Sequence, residues 1–267
     1  MPVAAVLFYA ACTAGERPTE LRVGATTTIE DSGLLQVIDS AFEATHPQYR
    51  LRYITGGTGE VLEIARRGDL DVTWTHDPDA EAAYISAGHG VERNEIMYND
   101  FVIAGTPEDP AGIAGQPEAA AALMKIAGAR ARFVSRGDES GTHRREQQLW
   151  RSVKVNPDTL ANHDFYVVAG VGMGDALRIA NDRGAYLLTD RATFTKLSPT
   201  LRLVIHVQGD PRLNNRYAAI VQKNTPRRDA ADAFVRYLTG HGATVIGRFG
   251  LSETGRPLFH PGPAPIQ

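Results

Sequence analysis

The sequence predicts an α/β protein of two lobes with mostly parallel sheets, and three observations carry that prediction. Strand-like and helix-like periods alternate along the chain in the rhythm of βαβ units. The rhythm breaks at a Pro- and Gly-rich stretch, Thr106–Gln116, and then resumes. Three of the strand-to-helix turns, at 26–28, 55–59 and 136–142, are unusually rich in Thr, Ser and Gly. In such sheets ligands bind beyond the carboxyl ends of the strands, where helix N-termini present free N–H groups. A length of 267 residues is enough for one large domain or two lobes.

Leu21–Ala25 (LRVGA) reads as the first strand. After Thr26-Thr27-Thr28 a helix opens near Asp31-Ser32, with Leu34, Leu35, Ile38, Ala41 and Phe42 on one face, and His46-Pro47 ends it. Tyr49–Ile54 is the next strand, Thr55–Gly59 the turn, and a second helix runs to Arg67, where Gly68-Asp69 stops it. Asp71–Thr75 (DVTWT) is the third strand. Beyond the break, Arg132–Ser135 is a strand, Arg136–Ser140 a loop, and Gly141–Lys154 a helix closed by Asn156-Pro157. Tyr166–Ala169 and Ala185–Leu188 are strands that flank a glycine-rich turn and a helix over Ala176–Arg183. Leu203–Val207 is a late strand and Arg227–Thr239 a late amphipathic helix. No internal repeat or low-complexity linker is present, so two lobes joined by short crossing strands fit better than one large sheet.

Composition excludes several classes. The chain is 43% hydrophobic and 22% charged, with a formal net charge of −3. It therefore lacks the basic face of a sequence-independent nucleic-acid binder. A small anion remains compatible, because its site depends on local donors rather than global charge. The single cysteine, Cys12, permits neither a disulfide framework nor a CxxC metal pair. Val3–Ala11 (VAAVLFYAA) running into Cys12 reads as the end of a secretion signal with a lipid-accepting cysteine, although no Lys or Arg precedes it and Tyr9 interrupts it. Residues 1–18 are accordingly a leader outside the fold. After residue 20 no apolar run approaches the roughly 20 residues that span a bilayer.

The strongest motif is Arg136-Gly137-Asp138-Glu139-Ser140-Gly141-Thr142. Ser140 is a good N-cap, Gly141 lets a ligand approach the backbone, and Thr142 adds a hydroxyl in the first turn. The unpaired N–H groups and dipole of the helix start, with the planar donor fork of Arg136, make a cradle for a dianion. The same residues would equally serve as a capped helix with a surface Arg–Asp pair. Thr27 and Thr28 supply hydroxyl or amide donors at the first turn, or merely end a strand; Thr58 stands similarly on the second. Gly170-Val171-Gly172-Met173-Gly174 superficially resembles a nucleotide loop, but Asp175 stands where a dinucleotide fingerprint needs its third glycine. There is no GxxxxGK[ST] and no GxSxG. Ser140, His143 and Asp138 are the residue types of a hydrolase triad but lie too close in sequence to form its line. His76-Asp77, His143 and His163-Asp164 lack metal-ligand spacing, so neither a metal nor a cofactor is expected.

Five segments, ATTTIEDSGLL (25–35), MYNDFVIAG (97–105), FVSRGDESGTH (133–143), GVGMGDALRIANDRGAYLLTDRATF (170–194) and QGDPRLNNRY (208–217), resemble in order the tungstate-binding proteins of bacterial ABC importers. The resemblance implies a type II periplasmic-binding-protein fold with a two-stranded hinge. It places 19–100 and 205–267 in lobe 1 and 101–204 in lobe 2. It also implies a monomeric, extracytoplasmic, non-enzymatic binder of tungstate or molybdate that delivers to an importer permease. Residue by residue it assigns oxyanion contacts to Thr27, Thr28, Arg136, Ser140, Gly141 and Thr142, and backbone contacts to Gly172 and Met173; Thr58 joins the candidate contacts from its place on the glycine-rich turn alone. Ala25 replaces the first Thr of the family's TTTS stretch, Thr28 replaces its Ser, and Val171 replaces a residue more often polar. The Arg-x-Asp-x-Ser-Gly-Thr pattern is also similar to that of phosphate-binding proteins, where a carboxylate accepts the phosphate proton. Asp138 is either such an acceptor or an orienter of Arg136. Other readings are an oxyanion sensor for a signalling receptor and a degenerate transferase.

Overall fold

The computed structural model describes residues 17–264; the leader motif and Cys12 lie outside the described residues. Three strands open the fold as a parallel block: β1 (Thr19–Thr26) sits between β2 (Tyr49–Gly56) and β3 (Val72–Thr75). Between β1 and β2 lie α1 (Thr27–Ser32) and α2 (Leu34–Thr45), and α3 (Thr58–Arg66) links β2 to β3. The first helix thus begins at Thr27, ahead of the expected Asp31-Ser32. Burial of Thr28 and Ile29 favours the earlier start, and Gly33, at φ +90°, then breaks the helix in two.

After α4 (Pro78–Ser86) comes β4 (Gly90–Gly105), which is 16 residues long rather than a short crossing strand. Its first part pairs with β9 (Asn214–Gln222) as far as Asp100–Asn214. From Phe101 onward it changes partner to β7 (Tyr186–Asp190), antiparallel, so one continuous strand belongs to both lobes. The second lobe contains α5 (Ala119–Gly128), β5 (Phe133–Ser135), α6 (Gly141–Ser152), α7 (Pro157–Leu160), β6 (Tyr166–Val168), α8 (Met173–Arg183) and α9 (Arg191–Leu197). Its β5 is parallel to both β6 and β7. The strand β8 (Val204–Val207) pairs with Ile103–Gly105 of β4, and Val207 and Leu213 pack with Phe133 and Trp150. Residues 205–213, expected in lobe 1, therefore belong to lobe 2: the apolar side chains of this stretch are buried there, and the chain returns only at Asn214. The helices α10 (Arg228–Thr239), α11 (His241–Arg248) and α12 (Leu251–Thr254) follow, and β10 (His260–Pro261) pairs with β4 at Met97-Tyr98.

Both sheets are covered on two faces. In lobe 1, α2 and α10 bury Ile38, Phe42 and Phe234 against Val23 and Trp74, with Phe42 edge-on to Phe234 at 5.2 Å. The opposite face packs Val61 and Leu62 of α3 with Leu70 and Tyr84. In lobe 2, α6 contributes Leu149 and Trp150 to one core, while α8 contributes Ala176, Leu177 and Ala180 to the other. The arrangement aims the N-termini of α1, α3, α6 and α8 from the strand ends. No helix among the described residues is long and apolar enough to cross a membrane.

Beneath the start of α6, Glu146 is buried against Tyr166 and Trp150, whose Nε1–H donates to Oε1 at 3.2 Å. Burial raises its carboxyl from 4.5 to about 7. Below about pH 4.5 both folded and unfolded chains hold this proton. As pH rises towards 7 the unfolded chain ionises first, so stability from this group declines across that window. Replacing Glu146→Gln removes the decline. In urea denaturation at pH 5 and pH 7.5, the stability difference between variant and wild type is expected to move in the variant's favour by about 2–3 kcal/mol at the higher pH; an equal difference at both pH values would show that the group does not titrate there.

Candidate functional site

The lobes meet through the turns that end their strands. The Arg136 Nη2–H donates to Thr27 Oγ1 at 3.3 Å, across the cleft. A Cβ built on Gly57 would lie 3.6 Å from Ser140 Cα, so the turn before α3 faces the start of α6. A Cβ on Gly141 would lie 2.6 Å from the His76 ring, which leaves no room for a side chain where α6 abuts lobe 1. Lys196 donates to the Asp31 carbonyl at 2.6 Å on one flank, and Arg144 pairs with Asp77 at 3.0 Å on the other.

Arg136 is the centre of this contact. It is 3% exposed, and its Nε and Nη1 are buried with no hydrogen-bond partner among the described residues. The loop that carries it is tightly built. Gly137 has φ +64°, and a Cβ there would lie 2.3 Å from Val168, so the position requires glycine. Glu139, with φ +56°, is held in the left-handed region that non-glycine residues seldom adopt. Asp138 pairs with Arg136 through Oδ2 and accepts the Ser140 N–H through Oδ1 at 3.2 Å. The Arg136 carbonyl in turn accepts the N–H groups of Gly170 and Val171, at 2.7 and 3.3 Å, which docks the turn before Gly172 and Met173 beside it.

The turns that face one another carry further free donors. Thr58 and Thr142 are buried with hydroxyls that have no partner among the described residues. Ser140 Oγ accepts the His143 N–H at 3.2 Å as the N-cap and retains its own proton to donate. The helices α1, α3 and α8 start at Thr26, Gly57 and Gly172 without a side-chain cap, so their first N–H groups stay free. Thr28 differs from the other hydroxyls, because its Oγ1 is engaged by Thr26 at 3.0 Å and by His76 Nε2 at 3.2 Å. Leaving a charged, planar donor and several hydroxyls buried and unpaired is costly, and a small multi-oxygen anion relieves that cost for all of them at once.

Behind the cradle a polar chain runs through the crossing strands. His76 Nδ1 donates to Asn215 Oδ1 at 2.8 Å, and Asn215 Nδ2 donates to Asn99 Oδ1 and Tyr217 OH, each at 2.8 Å. Burial lowers the His76 pKa to about 4, so the ring is neutral at physiological pH and uses one nitrogen as donor and the other as acceptor. His76 thus has a structural place in this network rather than a metal-ligand one. Among the described residues no group of three or more His, Cys, Asp or Glu lies together to hold a metal ion.

Sequence reasoning missed two contributors at the start of α9. Asp190 caps that helix through Thr193 N–H at 2.9 Å; its Oδ2 and the Thr193 hydroxyl are buried without partners among the described residues. Burial raises the Asp190 carboxyl to about 6, against the favourable charge of nearby Arg136. The D-x-x-T spacing of Asp190 and Thr193 was a visible capping signal, but a cap alone does not announce a ligand. The hydrolase constellation does not form. His143 Nδ1 accepts the Glu139 N–H at 3.1 Å and Nε2 meets Gln147 at 3.0 Å, which leaves no ring nitrogen for Ser140.

Comparison with known proteins adds to this geometry. Residues 13–241 match the family model described as the PBP superfamily domain. The chain is 35% identical over 252 residues to the tungstate-binding protein TupA of Peptoclostridium acidaminophilum, covering 90% of this chain and 84% of that protein. Among solved structures it resembles the tungstate-binding protein TupA from Desulfovibrio alaskensis G20, at 37% identity and a TM-score of 0.77, covering 92% of this chain and all of that one. It also resembles the tungstate ABC transporter structure from Geobacter sulfurreducens, at 40% identity and a TM-score of 0.76, covering 85% and 97% of the two chains.

The network behind the cradle yields a stability prediction. Asn215→Ala removes the acceptor of His76 and the donor to Asn99 and Tyr217, and leaves buried polar groups unpaired. Urea denaturation is expected to show a loss of about 2–4 kcal/mol; a loss under about 0.5 kcal/mol would mean that the chain of side chains is not coupled to folding.

Proposed function

Because the chain belongs to the tungstate-binding family within the PBP superfamily, we propose that it is the extracytoplasmic solute-binding component of an ABC importer that captures tungstate and delivers it to a permease. The observation that carries this reading is the buried guanidinium of Arg136, with Nε and Nη1 unpaired at the meeting of the two lobes. A tetrahedral dianion accepts from that fork, from the Thr58 and Thr142 hydroxyls, from Ser140, and from the free N–H groups at the starts of α1, α3, α6 and α8, including those near Gly172 and Met173. Thr27 joins through its contact with Arg136, and Thr28 contributes its backbone. Closure removes water and strengthens each charge-assisted bond. No bond is made or broken in the cargo, so release needs only reopening. Tungstate and molybdate, nearly equal in size and both without a proton at neutral pH, compete for the same donors. The protein works as a monomer, tethered outside the cytoplasm through Cys12.

Asp138 bears on the choice of cargo. Its Oδ2 pairs with Arg136 and its Oδ1 accepts the Ser140 N–H, which supports an orienting role. One observation favours hydrogen phosphate as the second reading: the free Oδ2 of buried Asp190 is a carboxylate oxygen able to accept such a proton. Calorimetric titration of the anion-stripped chain with tungstate, molybdate, phosphate and sulfate separates the two. Tight one-to-one tungstate binding with phosphate silent is expected; tight phosphate binding would transfer the cargo to phosphate and the acceptor role to Asp190. Arg136→Ala is expected to weaken tungstate binding by about 1.5–3 kcal/mol with the folded state unchanged, since the lost donor is charged and desolvated. An unaltered affinity would remove Arg136 from the site.

A further inference from the structure

A second, outer cavity of about 280 Å³ lies between the lobes on the hinge side. His76, Asp77 and Asp79 line it from lobe 1, Gly141, Arg144 and Arg145 from α6, and Asn214 and Arg216 from the start of β9. Its inner wall, His76 against Gly141, is the contact that closes the start of α6 over the cradle. Its outer rim carries exposed Asp79, Gln148 and Pro211, so it opens to solvent.

The charges in this cavity are not balanced locally. Arg144 is committed to Asp77, and Asp77 also caps α4 through the Ala80 N–H at 3.1 Å. Arg145 and Arg216 are half-buried, and neither has an ion-pair partner within 4.0 Å among the described residues. Burial lowers the Arg145 pKa; the charges of Asp77 and exposed Asp79 act against that, and Arg216 adds a smaller like-charge contribution on the same side as burial. A fold of net charge −3 that brings two guanidinium groups without ion-pair partners, from α6 and from β9, to one cavity has built a local positive field. A cleft of this shape concentrates small anions and raises their association rate by about 10–1000-fold where walls of low dielectric constant focus the field.

We propose that this cavity is an outer anion subsite, in which Arg145 and Arg216 take up the oxyanion before it passes to Arg136. The inference rests on the oxyanion reading of the cradle. The subsite sets the rate of capture, and the cradle sets the rate of release.

The test has two arms on the full chain. In stopped flow, with tryptophan fluorescence as signal, the double variant R145Q/R216Q is expected to associate with tungstate on the order of tenfold more slowly at low salt. Its dissociation rate constant is expected to stay at the wild-type value, and its association rate to lose most of its salt dependence. In the second arm, Arg136→Ala disables the cradle, and the side-chain Nε–H resonances of Arg145 and Arg216 are followed by NMR during titration with sodium sulfate against sodium chloride at equal ionic strength. Saturable shifts of both resonances are expected, and the single variants R145Q and R216Q assign them. An unchanged association rate constant in a variant that binds, or resonances that do not move, would overturn the proposal. If wild type binds no tungstate while both resonances still saturate with sulfate, the outer subsite stands and the cargo reading of the cradle fails.

Discussion

The site depends on the burial of one guanidinium group. Arg136 is almost wholly removed from water, yet among the described residues only its Nη2 is paired, with Asp138 and Thr27. Desolvating a permanent charge is expensive, and a charge that cannot be given up by deprotonation must be compensated by partners. Asp138 supplies part of that compensation and fixes the plane of the fork. The left-handed turn at Gly137 and Glu139 fixes the loop on which both residues stand. The remaining two nitrogens are left buried and unpaired among the described residues, so the same group ties together the loop and the lobe contact.

The lobe contact is made by the same turns that carry the unpaired donors. Thr27 is held by Arg136 across the cleft, Gly57 faces Ser140, and Gly141 packs on His76. At the junction of the lobes, where β4 passes from Asp100 to Phe101, Arg191 at the start of α9 binds both oxygens of Asp100 and also Gln208 Oε1 at 2.9 Å. A change in lobe angle must therefore be absorbed close to these groups. The neutral His76–Asn215 chain lies beside the same junction and is satisfied without any cargo. Satisfied hydrogen bonds run through the crossing strands, while the unpaired donors sit at the turns that face across the cleft.

Charge is distributed by the same logic. The chain is acidic overall, yet Arg136, Arg144, Arg145 and Arg216 gather at the cleft. Asp138 and Asp77 each neutralise one of these arginines, and each also holds a backbone N–H of a helix start, so neither is free to repel an approaching anion. Asp190, which holds the Thr193 N–H but has no arginine ion pair among the described residues, is pushed by burial towards the neutral form.

Alternating periods and turn chemistry in the sequence specified the two-lobed α/β class, most strand and helix positions, and the Arg136–Thr142 motif as a donor-rich helix start, because these depend on neighbours within a few residues. Five segments in order carried the family resemblance. The sequence left Asp138 open between proton acceptor and orienter, since both roles use the same carboxylate; its contacts with Arg136 and the Ser140 N–H, visible only in the tertiary structure, support the orienting role. It left β4 unread as a single strand because its two halves are buried by different lobes and share no one period. Residues 205–213 were placed on the wrong lobe for a related reason: membership is decided by pairing with Ile103–Gly105, a contact distant in sequence. Thr27, Thr58, the Arg136–Arg145 stretch, the α9 start at Asp190 and Thr193, and Arg216 come together from five separate stretches of chain. Local composition fixes what each turn can offer, and only tertiary packing decides which turns face one another and which donors remain unpaired.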